Sequence, residues 1–172
     1  MKKLSVLFAI LFCACASNGQ QVQVSAIKGG VALSIEAQKS YQFITGEEKR
    51  PALSIECLQK GKKNGHLVIF SPAGEVVQAD PLSGIGNGPL ALLITLDGTS
   101  ESTNWVPYRD SSSFAYLGKT EPERVQFMHT LVNAKIVSIE FKPFLTGTLV
   151  KVSFDTRSLR DELSKHPECS EQ

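Results

Sequence analysis

The chain has 172 residues, of which 42% are hydrophobic, 20% charged and 8% aromatic. Eighteen Lys and Arg against seventeen Asp and Glu leave a net charge of +1, without the clustered basic excess that nucleic-acid binding needs. Thirteen Gly and eight Pro exclude collagen-like and low-complexity chains, so one globular domain is expected.

The opening segment is read as an export signal. Lys2 and Lys3 form a positive start, Leu4 to Phe12 is an unbroken apolar run, and Ala14-Cys15-Ala16 gives the small-x-small pattern a signal peptidase accepts. As a helix the run would be about 13.5 Å long against a hydrocarbon core of roughly 30 Å, too short to span. The expected division is a signal at 1–16, a lead-in at 17–30 and a single β-rich domain at 31–172. A second export reading acylates Cys13 or Cys15 and makes a lipoprotein. Phe12 and Ile10 stand where such signals want Leu, which favours cleavage before Ser17.

Without Lys2 and Lys3 the count is sixteen basic against seventeen acidic residues, and only Cys57 and Cys169 remain. In an oxidising compartment two such cysteines point to a disulfide rather than a metal or redox site; two buried free thiols are the alternative. Bridging a loop of that length would be worth on the order of 4–5 kcal/mol.

Val22, Val24 and Ala26 predict an edge strand or loose lead-in, broken by Gly29-Gly30. Val31, Leu33 and Ile35 alternate at period two, as do Leu53, Ile55 and Cys57, the mark of half-buried strands. ALSIE occurs at 32–36 and again at 52–56, which suggests neighbouring strands in one sheet. Between them, 41–51 reads as a solvated connection. His66 to Phe70 predicts a buried strand, followed by a turn at 71–74, a weak strand at Val76-Val77 and a flexible Gly/Pro connector at 81–89.

Leu90, Leu92, Ile94 and Leu96 form the clearest strand, with Asp97-Gly98 a strong hairpin signal. Residues 99–113 read as a polar loop. Thr120-x-x-Glu123 fits a capping box with Pro122 in the first turn, and Val125, Met128, Leu131 and Val132 recur at helical spacing to Asn133. Val137–Phe141 and Val150–Phe154 predict an antiparallel pair. Asp155 or Thr156 would cap a last short helix burying Leu159 and Leu163, ended by Pro167. The fold class is therefore mainly β: an antiparallel sandwich or curved sheet with two short helices.

Catalytic signatures are absent: there is no G-x-S-x-G, HExxH, P-loop or G-x-G-x-x-G motif. A strand rather than a helix follows the Gly-rich 84–88, so no helix dipole would receive an anion there. His66, His129 and His166 are scattered, with His166 suited to a helix C-terminus. Asp97, Glu101 and Asp110 lack calcium-loop spacing. No catalytic residue, metal or cofactor is assigned. Binding is concentrated on 98–116, where Trp105, Tyr108, Arg109, Phe114 and Tyr116 lie in a polar frame of the kind that carries interface hot spots. The competing reading folds Trp105 and Phe114 back as a small satellite core.

The order of features resembles the type VI secretion-associated periplasmic protein family (the TagO or VasI group). Arg50-Pro51 through Cys57 matches its basic-Pro pair and strand ending in Cys, with Glu56 where the family more often has a basic residue. Leu92 to Asp97, Trp105 and Phe114 follow, then helix, strand pair, short helix and final Cys over Leu131–Cys169, so the likeness covers roughly 31–169. It implies an exported β-rich accessory domain with a Cys57–Cys169 bridge and no known catalytic residues. The expectation is a periplasmic or secreted, non-enzymatic domain whose partner is another envelope or secretion-apparatus protein. Membrane contact would occur only through an acylated Cys13 or Cys15. The alternatives are a secreted hydrolase of unknown substrate and a surface lipoprotein with a binding role.

Overall fold

The computed structural model describes residues 20–42, 46–60, 63–73, 90–108, 113–143 and 147–169. The export segment, Cys13, Cys15, the Val76-Val77 strand, the 81–89 connector, Arg109 and Asp110 lie outside these residues.

Strand β1 (Gln23–Ile27) turns through Lys28-Gly29 into β2 (Gly30–Glu36). Leu33 and Ile35 are fully buried, as the period-two pattern requires. Within 41–51 the described residues hold more structure than a solvated connection, since β3 (Tyr41–Gln42) and β4 (Glu48–Lys49) make a small separate ribbon. Next come β5 (Ala52–Lys60) and β6 (Lys63–Ser71). The two ALSIE segments pair with each other antiparallel about Ser34 and Ser54, whose hydroxyls bond at 2.9 Å. Each Leu of one copy therefore meets an Ile of the other on the core face. Gly30 is needed where β2 crosses β5, because a Cβ there would sit 1.9 Å from the Cys57 carbonyl oxygen.

Strand β7 (Leu90–Leu96) and β8 (Thr99–Tyr108) form a two-residue hairpin at Asp97 (φ 45°) and Gly98 (φ 95°), where Gly takes positive φ without a Cβ clash. Much of 99–113 is thus strand, which corrects the polar-loop expectation. The ladder satisfies the backbone of β8, while polar side chains at alternate positions face water. Strand β9 (Ser113–Tyr116) pairs with β8 along its length but with β6 only at Ile69↔Ala115 and Phe70↔Phe114. Helix α1 (Glu121–Asn133), β10 (Ile136–Phe141), β11 (Val150–Asp155) and α2 (Arg157–Leu163) complete the chain, followed by a 3-10 turn at Pro167–Cys169.

The large sheet has nine antiparallel strands in the order β1-β2-β5-β6-β9-β8-β7-β10-β11. The fold is a single curled sheet with two short helices, not a two-sheet sandwich. It curls until the residues flanking β1 and β2 reach β11: the Gln38 amide donates to the Ser153 carbonyl at 2.8 Å, and the Gln20 side chain bonds both the Glu36 carbonyl and the Asp155 amide. At α1 the Thr120 hydroxyl accepts from the Glu123 amide at 3.3 Å, as the capping box predicts. The Glu123 carboxylate accepts from the Lys119 amide instead of the Thr120 amide. The buried stripe of α1 is Phe127, Met128, Leu131 and Val132; Phe127 takes the place expected for Val125. Thr156 stands at the α2 cap, but its hydroxyl donates to the Ala134 carbonyl at 2.6 Å, and Asp155 accepts from the Arg157 amide at 3.2 Å. Leu159 and Leu163 are buried as expected. Cys57 and Cys169 form a disulfide across a separation of 112 residues, with Cα atoms 5.1 Å apart. It fastens the turn at Pro167–Cys169 to β5. Among the described residues, no helix is long and apolar enough to cross a membrane.

Candidate functional site

The aromatic residues singled out on 98–116 divide into two groups. Trp105 is wholly buried, its indole N–H donating to the Thr103 hydroxyl at 2.8 Å, and Phe114 is 5% exposed. Both belong to the main core, so neither offers a surface to a partner, and neither forms a separate satellite cluster. The cause is the pleat: Thr103, Trp105 and Pro107 alternate toward the interior while Ser102 and Asn104 face out. Tyr108 is half-buried and donates to the Glu56 carboxylate at 2.7 Å. That bond accounts for a buried carboxylate on the sheet.

Tyr116 reaches a cleft. It is half-buried, stacks on Phe127 of α1 at 3.9 Å and 20°, and meets Trp105 edge-on at 5.9 Å. The cleft runs between β8 and α1, with a volume of about 400 Å³. Tyr116, Leu117 and Phe127 line its apolar part, and Glu101, Asn104 and Glu123 are among its polar walls. Burial pushes the Tyr116 hydroxyl above its usual range, and the carboxylates of Glu123 and Glu101 add to the shift. The cleft thus sets an aromatic ring beside two carboxylates, with Lys119 also on its lining.

Phe127, Glu101 and Glu123 have no sequence signal as a group. Helical spacing places Phe127 one position from the expected stripe, and nothing local ties α1 to β8. A second hollow, of about 460 Å³, lies at the β7–β8 turn. Its carboxylate, Asp97, is already engaged: it accepts from the amides of Lys135 and Ile136 at 2.9 and 3.0 Å. The Ile136 amide and then the Lys135 amide hold its pKa below the usual carboxylate value. The residue serves as a clamp between the hairpin and the start of β10.

The histidines stand apart from one another. His66 is 4% exposed and lies opposite Cys57, with its backbone amide donating to Glu121 at 3.0 Å. His129 is half-buried in α1. His166 follows α2, 3.6 Å from Glu162 and 3.5 Å from Glu168. Among the described residues, no cluster of His, Cys, Asp and Glu has the arrangement of a metal site.

No family model, no curated protein and no solved structure matches this chain.

Proposed function

We propose that the chain is an exported, non-enzymatic binding domain of the bacterial envelope, and that the β8–α1 cleft receives a segment of a partner protein. The observation that carries this reading is the half-buried ring of Tyr116, backed by the buried Phe127, beside the carboxylates of Glu101 and Glu123 in one groove. Aromatic rings supply contact area at small entropic cost, and the carboxylates favour a Lys or Arg side chain of the partner. Export is supported by the apolar segment after Lys2 and Lys3, and by the disulfide, which persists in oxidising compartments. A place beside a type VI-like secretion apparatus follows from the family resemblance alone.

The test has two parts. Mass spectrometry of the exported protein should find Ser17 at the mature N-terminus, whereas an acylated cysteine would make it a lipoprotein. A photo-crosslinker at Ser102 should then trap an envelope protein, and Glu101→Lys should abolish the adduct without moving the thermal midpoint. An adduct indifferent to Glu101→Lys would remove the cleft from the reading.

A further inference from the structure

The two edges of the large sheet are finished differently. The Gly29 carbonyl oxygen accepts from the Gln59 amide at 2.6 Å, so odd-numbered positions of β2 bond to β5 and even-numbered ones bond to β1. Gly30, Ala32 and Ser34 accordingly pair with Ile27, Ser25 and Gln23. The backbone N–H and C=O groups of Val24 and Ala26 then point away from the sheet. On the opposite edge, the outward carbonyl of Ser153 and amide of Asp155 are taken by Gln38 and Gln20, and Lys151 adds an exposed charge.

Strand β1 carries none of the devices that keep an edge from pairing. It has no Pro and no charged side chain, no element among the described residues covers it, and Val24 is 46% exposed. Val24 and Ala26 stand opposite Leu33 and Val31, so they continue the apolar core face past its cover.

We propose that β1 is a dimerisation edge at which a second copy of this chain adds its own β1, antiparallel, about a two-fold axis through Ser25. The pattern is self-complementary. With Ser25 facing its counterpart, Val24 of each copy lies opposite Ala26 of the other and exchanges both backbone bonds with it. The two apolar faces fall on the same side of the joined sheet. Absence of charge lets the copies approach without repulsion, and Lys28 lies opposite the other copy's Val22 rather than another lysine. A head-to-tail contact of β1 with β11 is disfavoured because the β11 edge is occupied, which leaves the closed, isologous dimer. This inference is independent of the cleft.

The experiment uses the purified, exported chain. Sedimentation over a concentration series should show a reversible monomer–dimer equilibrium. Ala26→Pro removes an N–H that β2 does not use, so it should raise the dimer Kd roughly tenfold or more while leaving the circular dichroism spectrum and thermal midpoint intact. Ser25→Cys should cross-link between copies on oxidation, since directly opposed residues in such a pair are about 4.5 Å apart at Cα, within disulfide range. Lys151→Cys, on the closed edge, should not cross-link. A wild-type chain that stays monomeric overturns the proposal, even if it accepts an extended peptide from another protein. So does a dimer that Ala26→Pro leaves unchanged, or one that cross-links as well through Lys151→Cys.

Discussion

Two triplets of strands make up most of the sheet, and they differ in how they hold their faces apart. In β2–β5–β6 the interior is mainly aliphatic and regular: Leu33 opposes Ile55, Ile55 opposes Val68, Leu53 opposes the buried Phe70, and the bridge at Cys57 closes one end. In β7–β8–β9 a single large ring, Trp105, fills the middle strand, and polar side chains cover most of its length. The triplets meet along a seam only two residue pairs long, between β6 and β9. Helix α1 spans that seam. Glu121 receives the His66 amide on the β6 side, while Phe127 packs on Trp105 and Tyr116 on the other. The helix that follows β9 thus secures a junction the ladder barely makes.

The contrast can be broken from either side. Trp105→Ala should have the largest effect, about 3–5 kcal/mol of lost stability, because the cavity lies under the seam and the aliphatic triplet cannot collapse into it. Chemical denaturation of the variant measures it, and a loss under 1 kcal/mol would show that β8 does not depend on its ring. Replacing Cys57 and Cys169 together by Ala should cost about 2–5 kcal/mol, chiefly by enlarging the unfolded ensemble. That loss should appear in the same titration with Trp105 fluorescence unchanged in the native state.

Acid should act on the clamps around both triplets. The backbone amides hold Asp97 below its ordinary 3.8, and hydrogen bonds from Arg157 hold Asp155 below the same value. A carboxylate with a depressed native pKa leaves the unfolded chain binding more protons. Its contribution is therefore complete above the unfolded value and disappears as pH falls through the native one. Thermal midpoints should be flat above pH 5 with respect to these groups and fall below about pH 4. Asp97→Asn should flatten part of that fall. The smallest effect is expected at His66, whose ring nitrogens make no hydrogen bond among the described residues. His66→Leu should leave the thermal midpoint within a degree or two, since an apolar side chain of similar size gives up only the 3.6 Å approach of Nδ1 to the Glu121 carboxylate.

The aliphatic triplet was largely legible in the sequence. Alternation at Leu33, Ile35, Leu53 and Ile55 gives both the strands and their core faces, and the ALSIE repeat announces a pairing that the register bears out. Thr120 and Asp97-Gly98 mark a helix start and a turn because their chemistry is local. The aromatic triplet was not. In TSESTNWVPY the inward set is Thr103, Trp105 and Pro107, and only one of these reads as a core residue. Its burial depends on β7, β9 and α1 arriving from elsewhere. The cleft is hidden for the same reason: Tyr116 and Phe127 meet through the angle between β9 and α1, which no periodicity encodes.

The bridge between Cys57 and Cys169 sets an order of events during biosynthesis. Whether the polypeptide emerges from a ribosome or threads through a pore, its first sulfur must wait for more than a hundred further residues before its mate exists. The early hairpins can assemble meanwhile, but they do so unlocked, exposed to wrong thiols and to proteases. The finished fold is sealed in one oxidative step, long after the first hairpin has been made.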